Sequence, residues 1–227
     1  MTAMFELYLD TANAQEVARL NAAMPVFGVT TNPSILAKEG KGLSTILPEI
    51  KEVLGEQARF HVQVVSTTTE AMVAEAVQLS QLPYDIVVKI PTTVIGLAAI
   101  KQLKAKKISI LETAIYSAQQ GFMAALCGAD YLAPYVNRID VLGANSVNIV
   151  SDLQLLINQH NLNCKLLPAS FKNTRQVMDI LRLGVNSITL PSDIAEQMMI
   201  HPSVQPAVDV FSQDWQDAFE GKLAYQS

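Results

Sequence analysis

In the stretch "YDIVVKIP", residues 84–91, Lys89 follows Ile86, Val87 and Val88 and precedes Ile90 and Pro91. Lysine is almost never fully buried without a partner, so either its ammonium reaches water or the fold keeps an amine in a dry place. Burial disfavours the charged form and lowers a lysine pKa. The resulting neutral amine can attack a ketone or aldehyde to form a Schiff base. The iminium is an electron sink that lets a neighbouring C–C bond break, with no metal and no cofactor. His61, His160 and His201 are scattered and match no zinc spacing, and there is no glycine-rich phosphate loop. An acid/base is still needed. Tyr135 is the candidate, acting through a water held by Gln63 and Thr113.

These residues need a scaffold that gathers them. Short strand-like runs occur at 5–9, 25–29, 59–65, 86–90, 108–111, 130–134, 165–169 and 187–190. Helix-like stretches lie between them, for example 14–23, 69–80, 95–105 and 173–183, with apolar residues recurring at spacings of three and four. The strands are short and β-branched, as in a parallel sheet buried on both faces. Eight β→α units in a chain of 227 residues predict an α/β fold, a single-domain (β/α)8 TIM barrel with an extra C-terminal helix. The barrel is expected to span 1–227 as one domain, with a helical tail from about 203 to 227. A doubly wound open sheet is the alternative, but the first βα turn, "YLDTANAQ", has no nucleotide fingerprint. Trp215 in the tail is read as a packing or interface residue.

In such a barrel the active site lies at the C-terminal strand ends. The first strand offers Asp10 there, and the second Thr30, Thr31, Asn32 and Ser34. The third carries Gln63, the fourth Lys89, and the fifth Thr113 and Tyr116. The sixth leads to Tyr135, Asn137 and Arg138, and the seventh to Ser170 and Lys172; the eighth, "ITLPSD", offers little. Alternation places Arg59, His61, Gln63 and Val65 toward the barrel axis and Phe60, Val62 and Val64 toward the helices. Each residue also has a structural alternative. Asp10 could cap the next helix, and Thr30 and Asn32 could be turn residues around Pro33. Gln63 could be a satisfied core amide, and Arg138 could pair with Asp140 on the surface.

Half of the residues are hydrophobic and 16% are charged, against roughly 25% in an average soluble chain. Much of the surface is therefore expected to be hidden, in a large core or in subunit contacts. A formal net charge of −5 argues against broad nucleic-acid binding. Cys127 and Cys164 form no CxxC pair and read as buried reduced thiols of a cytoplasmic protein. The N-terminal "MTAMFELYLD" does not read as a signal peptide. The apolar stretch 122–136 is interrupted by Asp130 and too short for a membrane span.

"ELYLDTA", "GVTTNPSIL", "DIVVKIP", "GLAAIKQLK", "APYVNRID", "ASFKN" and "SITLP" together resemble the transaldolase family, and most closely its short-chain branch, the fructose-6-phosphate aldolases. The resemblance runs from about residue 4 to "DWQDAF" in the tail. It implies an α/β barrel and a metal-free Schiff-base mechanism with Lys89 as nucleophile. Asp10 would act near the substrate hydroxyls, Asn32 and Ser170 would bind hydroxyls of the dihydroxyacetone part, and Arg138 and Ser170 would contact the phosphate. It also implies sugar-phosphate substrates and a homodecamer of two pentamers whose C-terminal helices reach neighbouring subunits. The aldolase branch tends to carry glutamine and tyrosine where transaldolases carry glutamate and phenylalanine; here those positions are Gln63 and Tyr135. The reading is therefore reversible cleavage of fructose 6-phosphate to dihydroxyacetone and glyceraldehyde 3-phosphate. Transaldolase is the alternative, and a non-catalytic sugar-phosphate-binding barrel the remaining class. Glu112 departs from the family, which usually has a small or apolar residue there. It is expected to face opposite Thr113, away from the pocket.

Overall fold

The structure is a computed structural model in which residues 5–226 are described. The strands are β1 (Glu6–Asp10), β2 (Gly28–Thr30), β3 (Arg59–Gln63), β4 (Asp85–Pro91), β5 (Ile110–Ile115), β6 (Tyr131–Pro134), β7 (Lys165–Leu166) and β8 (Ser187–Leu190). The helices are α1 (Ala14–Asn21), α2 (Pro33–Glu39), α3 (Leu43–Leu54), α4 (Thr69–Ser80), α5 (Val94–Ala105), α6 (Ala118–Leu126), α7 (Val136–Val141), α8 (Ser146–Gln159), α9 (Thr174–Leu181), α10 (Ser192–Gln197) and α11 (Val204–Phe219). All strand pairs are parallel, in the order β7-β6-β5-β4-β3-β2-β1-β8. This is the expected TIM barrel, with a C-terminal helix following it. The barrel lies in the first of two units, which ends at Ala195; the second begins at Glu196.

The seam between β7 and β8 has a local cause. The amides of Leu167 and Ala169 point to β6 and donate to Leu132 and Pro134 carbonyls. The donor that alternation would aim at β8 falls on Pro168, which has no N–H. Two bonds bridge the gap instead: Thr189 N–H donates to the Pro168 carbonyl (3.1 Å), and Ser187 Oγ to the Leu166 carbonyl (2.6 Å). Gly28 is required on β2, because a Cβ there would strike the Arg59 carbonyl of β3.

Helix starts are set by side-chain caps. Asn13, Asn32, Thr68, Thr93 and Ser117 each accept a backbone N–H from the first turn of the helix they precede. Each such cap contributes about 1 kcal/mol and fixes a loop at the C-terminal rim of the barrel. The main core lies between strands and helices, with residues such as Val62, Val88, Ile90, Leu132 and Ile188 on the outer strand faces. A second core fills the barrel itself, with Tyr8, Val87, Leu111, Tyr131, Ala133 and Leu167.

At the floor of the barrel Glu6 accepts hydrogen bonds from Tyr8 Oη (2.9 Å), Tyr131 Oη (3.0 Å) and Lys165 Nζ (2.7 Å). Burial pushes its carboxyl pKa up, but these donors more than offset that and hold it below the usual carboxylate value. Arg59 lies between Glu6 and Asp85. Above this layer His61 is fully buried, edge-to-face against Tyr8 (4.7 Å) and Tyr131 (5.2 Å). Neither ring nitrogen has a hydrogen-bond partner among the described residues. Burial, with the charges of Lys89 and Arg59, holds its pKa well below the ordinary value, so the ring is neutral.

Glu112 is 0% exposed and does not line the cavity described below. Neither carboxyl oxygen has a hydrogen-bond partner among the described residues; the neighbouring Thr92 hydroxyl gives its proton to the Thr113 carbonyl (2.6 Å). Burial pushes the Glu112 pKa up from 4.5 to about 8. Below the unfolded value both states are protonated and there is no cost. Between the two values the unfolded chain ionises and the folded chain does not, so stability falls as pH rises through this window. Glu112→Gln removes the effect. Its stability advantage over the parent should widen by about 4 kcal/mol between about pH 5 and about pH 8. Urea unfolding of both proteins across that range measures this, and parallel curves would refute it.

The second unit contains α11. Val204, Val208, Phe211 and Phe219 on this helix are exposed. Trp215 packs on Phe219 (4.4 Å) and donates from its indole nitrogen to the Lys222 carbonyl (2.7 Å). No helix among the described residues is long and apolar enough to cross a membrane.

Candidate active site

Lys89 is 5% exposed and opens into a cavity of about 230 Å³ at the C-terminal ends of the strands. Its position on β4 is fixed by pairing on both sides, with Gln63 on β3 and Leu111 on β5. Its Nζ donates to the Thr31 carbonyl at 2.6 Å. Thr31 is itself pinned, because its N–H (2.9 Å) and Oγ1 (3.2 Å) both donate to the His61 carbonyl. Burial lowers the Lys89 pKa, and the charge of Asp10 opposes this in part. The amine is held in a dry place, as its apolar sequence neighbours suggest.

Asp10, Thr30, Asn32, Thr113 and Tyr135 line the same cavity as Lys89, and so do Arg138, Ser170 and Lys172. Gln63 does not. It pairs with Lys89 in register, yet it is not among the residues that line the cavity. Tyr116 is also absent from the lining; its hydroxyl accepts a long bond from Arg138 (3.4 Å) and its ring packs on Tyr135.

The structural alternatives divide. Asp10 is not the cap of α1, a position held by Asn13; it accepts from Thr30 Oγ1 at 2.7 Å instead. Asn32 does both jobs, lining the cavity and capping α2 through Ile35 N–H (2.9 Å). The Arg138 guanidinium lies over the Tyr135 ring, 4.7 Å from its centroid. Cys127 and Cys164 are free and half-buried.

Tyr135 caps the sixth strand. Its hydroxyl is 2.9 Å from Thr113 Oγ1. Burial raises its pKa, while the Thr113 bond and the Arg138 charge act the other way. Thr113 enters the cavity by alternation from Leu111, and a bulge follows it. The β5–β6 register shifts between Glu112 and Ile115, and Ala114 has φ 61°. Strict alternation would place Thr113 and Ile115 on one face. The left-handed residue resets the phase, so Ile115 joins the outer core while Thr113 stays on the cavity side. Ser170 is likewise left-handed, φ 63°. Both are strained for non-glycine residues, and such strain concentrates at functional sites.

The eighth strand contributes more than "ITLPSD" suggested. Thr189 lines the cavity, and its Oγ1 is 2.7 Å from Thr30 Oγ1. Thr30 gives its one hydroxyl proton to Asp10, so Thr189 is the donor in that contact. A chain Thr189→Thr30→Asp10 therefore orients the carboxylate. The signal for it in the sequence is only register: Thr189 pairs with Tyr8 and Thr30 with Asp10.

The arrangement is a desolvated amine, a carboxylate fixed by hydroxyls, a phenol bound to a second hydroxyl, and cationic side chains at the rim. Residues 7–226 match the transaldolase/fructose-6-phosphate aldolase family. The chain belongs to this family. The family is one of enzymes, and the match covers all the strands whose C-terminal ends surround the cavity. The match covers both the strand that carries the buried Lys89 and the segment "APYVNRID" that carries Tyr135 and Arg138.

Proposed function

We propose that the chain is a class I, Schiff-base-forming aldolase that reversibly cleaves fructose 6-phosphate to dihydroxyacetone and glyceraldehyde 3-phosphate. The observation that carries this reading is the phenol of Tyr135, bound to Thr113 in the cavity that holds the amine of Lys89. Lys89 attacks the ketone carbon and water leaves, giving the iminium. The hydroxyl beyond the next carbon passes its proton to a water held by Thr113 and Tyr135, the C–C bond breaks, and its electron pair enters the iminium to form the enamine. Glyceraldehyde 3-phosphate departs. Tyr135, through Thr113 and an ordered water, returns a proton to the enamine carbon, and water then hydrolyses the iminium to release dihydroxyacetone.

Asp10, fixed by Thr30, and Asn32 face the hydroxyls of the three-carbon part. Arg138, Ser170 and Lys172 take the phosphate, the guanidinium offering paired donors. Release of free dihydroxyacetone from fructose 6-phosphate, with and without erythrose 4-phosphate, tests the reading. Release without acceptor is expected. If none occurs until acceptor is added, the chain is a transaldolase. One observation favours that second reading: Gln63, part of the aldolase-type pair, stands outside the cavity lining.

A homo-oligomer, with two pentamers as the arrangement implied by the resemblance, is part of the same proposal. The exposed apolar residues of α11 support it. A monomer by light scattering at micromolar concentration would overturn it.

A further inference from the structure

The phosphate side of the cavity is built from two segments distant in sequence. One is the entry to α7, with Asn137 and Arg138; the other follows β7, with Ser170 and Lys172. At their inner ends they are joined by backbone bonds, Val136 N–H to the Ala169 carbonyl (3.0 Å) and Asn137 N–H to the Ser170 carbonyl (3.1 Å). At their outer ends a single side chain joins them. Gln176 is the third residue of α9 and is half-buried. Its Oε1 accepts from Lys172 N–H at 3.0 Å. Its Nε2 donates to Asp140 Oδ2 at 2.9 Å and to Asn137 Oδ1 at 3.3 Å. Its own N–H is held by the cap residue Asn173 (2.9 Å). The far end is anchored too, because Asp140 Oδ1 accepts from Ser146 N–H at the start of α8 (3.0 Å).

The strap therefore grips the residue before Arg138, the residue two beyond it, and the backbone of Lys172. Arg138 and Lys172 are themselves exposed; the guanidinium leans on the Tyr135 ring and the Tyr116 hydroxyl, and the spacing of the two segments sets where the cationic ends meet. A phosphate monoester needs donors from both segments at one spacing, whereas an unphosphorylated aldehyde does not. We propose that Gln176 is a positioning residue that fixes this spacing and so sets the preference for phosphorylated over unphosphorylated aldehydes. The inference rests on the assignment of the phosphate to Arg138, Ser170 and Lys172.

The test is aldol addition of dihydroxyacetone to glyceraldehyde 3-phosphate and to glyceraldehyde, with inorganic phosphate as a competitive inhibitor. Gln176→Leu should raise KM for glyceraldehyde 3-phosphate about tenfold, the worth of a hydrogen bond or two. The inhibition constant of phosphate should rise in parallel, while kcat/KM for glyceraldehyde changes much less. Thermal melting of the variant guards against a general loss of fold. The double variant Gln176→Glu/Asp140→Asn exchanges donor and acceptor across one contact. It keeps an acceptor for Lys172 N–H and one for Ser146 N–H, and should recover most of the preference. Equal losses for the two aldehydes, an unchanged KM for the phosphorylated one, or no recovery in the double variant would overturn the proposal. Arg138→Ala separates this from the reading beneath it. It should raise KM for the phosphorylated aldehyde far more than for the other. If it does not, the phosphate assignment fails and the strap with it; if it does and Gln176→Leu does not, only the strap fails.

Discussion

Lys89→Met is expected to reduce fructose 6-phosphate cleavage to background and to abolish borohydride-dependent labelling by substrate. The substitution keeps the length of the side chain but removes the nucleophile, so no iminium forms and the electron sink is lost. It should do so without harming the fold. Burial lowers the Lys89 pKa, which means the unfolded chain binds a proton more readily than the folded one at neutral pH. Folding is opposed by this weaker hold on the proton, and the opposition fades as pH rises from the folded value toward the unfolded one. A neutral methionine escapes this, so the variant should melt no lower than the parent at neutral pH. Mass spectrometry of the reduced adduct identifies the labelled residue. Lys172 shares the cavity but is exposed; label on Lys172 in the parent would sink the assignment. A parent that binds substrate without any label would point to a non-catalytic barrel.

Tyr135→Phe should depress cleavage by about 10²–10⁴-fold, the range for losing a general acid or base. The variant isolates the hydroxyl. The ring that lies beneath the Arg138 guanidinium and beside Tyr116 is kept, so phosphate binding has no reason to change. The amine is also untouched, so borohydride labelling should persist while turnover collapses. This split between trapping and turnover distinguishes a proton-transfer role from a packing role. Burial raises the Tyr135 pKa, which keeps the phenol protonated through neutral pH and available as a donor. With the proton delivery impaired, the enamine lives longer, and added erythrose 4-phosphate should capture more of it. Combining the change with Gln63→Glu should raise the ratio of transfer to cleavage further. A loss below about threefold would remove Tyr135 from the chemistry.

The barrel and the amine are legible in the sequence because both depend on short-range patterns. Strand and helix periods alternate eight times, and a lysine inside a β-branched run must either send its ammonium to water or sit as an amine in a dry place. The face alternation read along β3 holds for His61 against Phe60 and Val62. What was not legible depends on phase and register. Nothing in "ILETAIY" shows that Ala114 turns left-handed, yet that turn decides that Thr113 and Ile115 part company. Thr189 looks inert until β1 brings β8 beside Thr30. Pro168 looks like a strand residue, and its missing donor leaves the β8 side of this segment to two isolated bonds. Gln63 pairs with Lys89 in register, and a pairing register does not by itself make a residue part of the cavity lining.

The floor of the barrel has a consequence for traffic. Beneath Lys89 lie the buried His61, Tyr8 and Tyr131, then Glu6 bound to both phenols and to Lys165. Among the described residues the interior is packed there, not a pore, and the door of the cavity is at the C-terminal strand ends. In the proposed reaction the departing aldehyde, the water that ends the cycle and any competing sugar all use that door in turn. Whichever molecule arrives after the aldehyde clears the mouth inherits the enamine. The fate of the three-carbon unit is thus governed by how long the leaving group lingers at the rim, where Arg138 and Lys172 stand, as much as by the proton supply beside the amine.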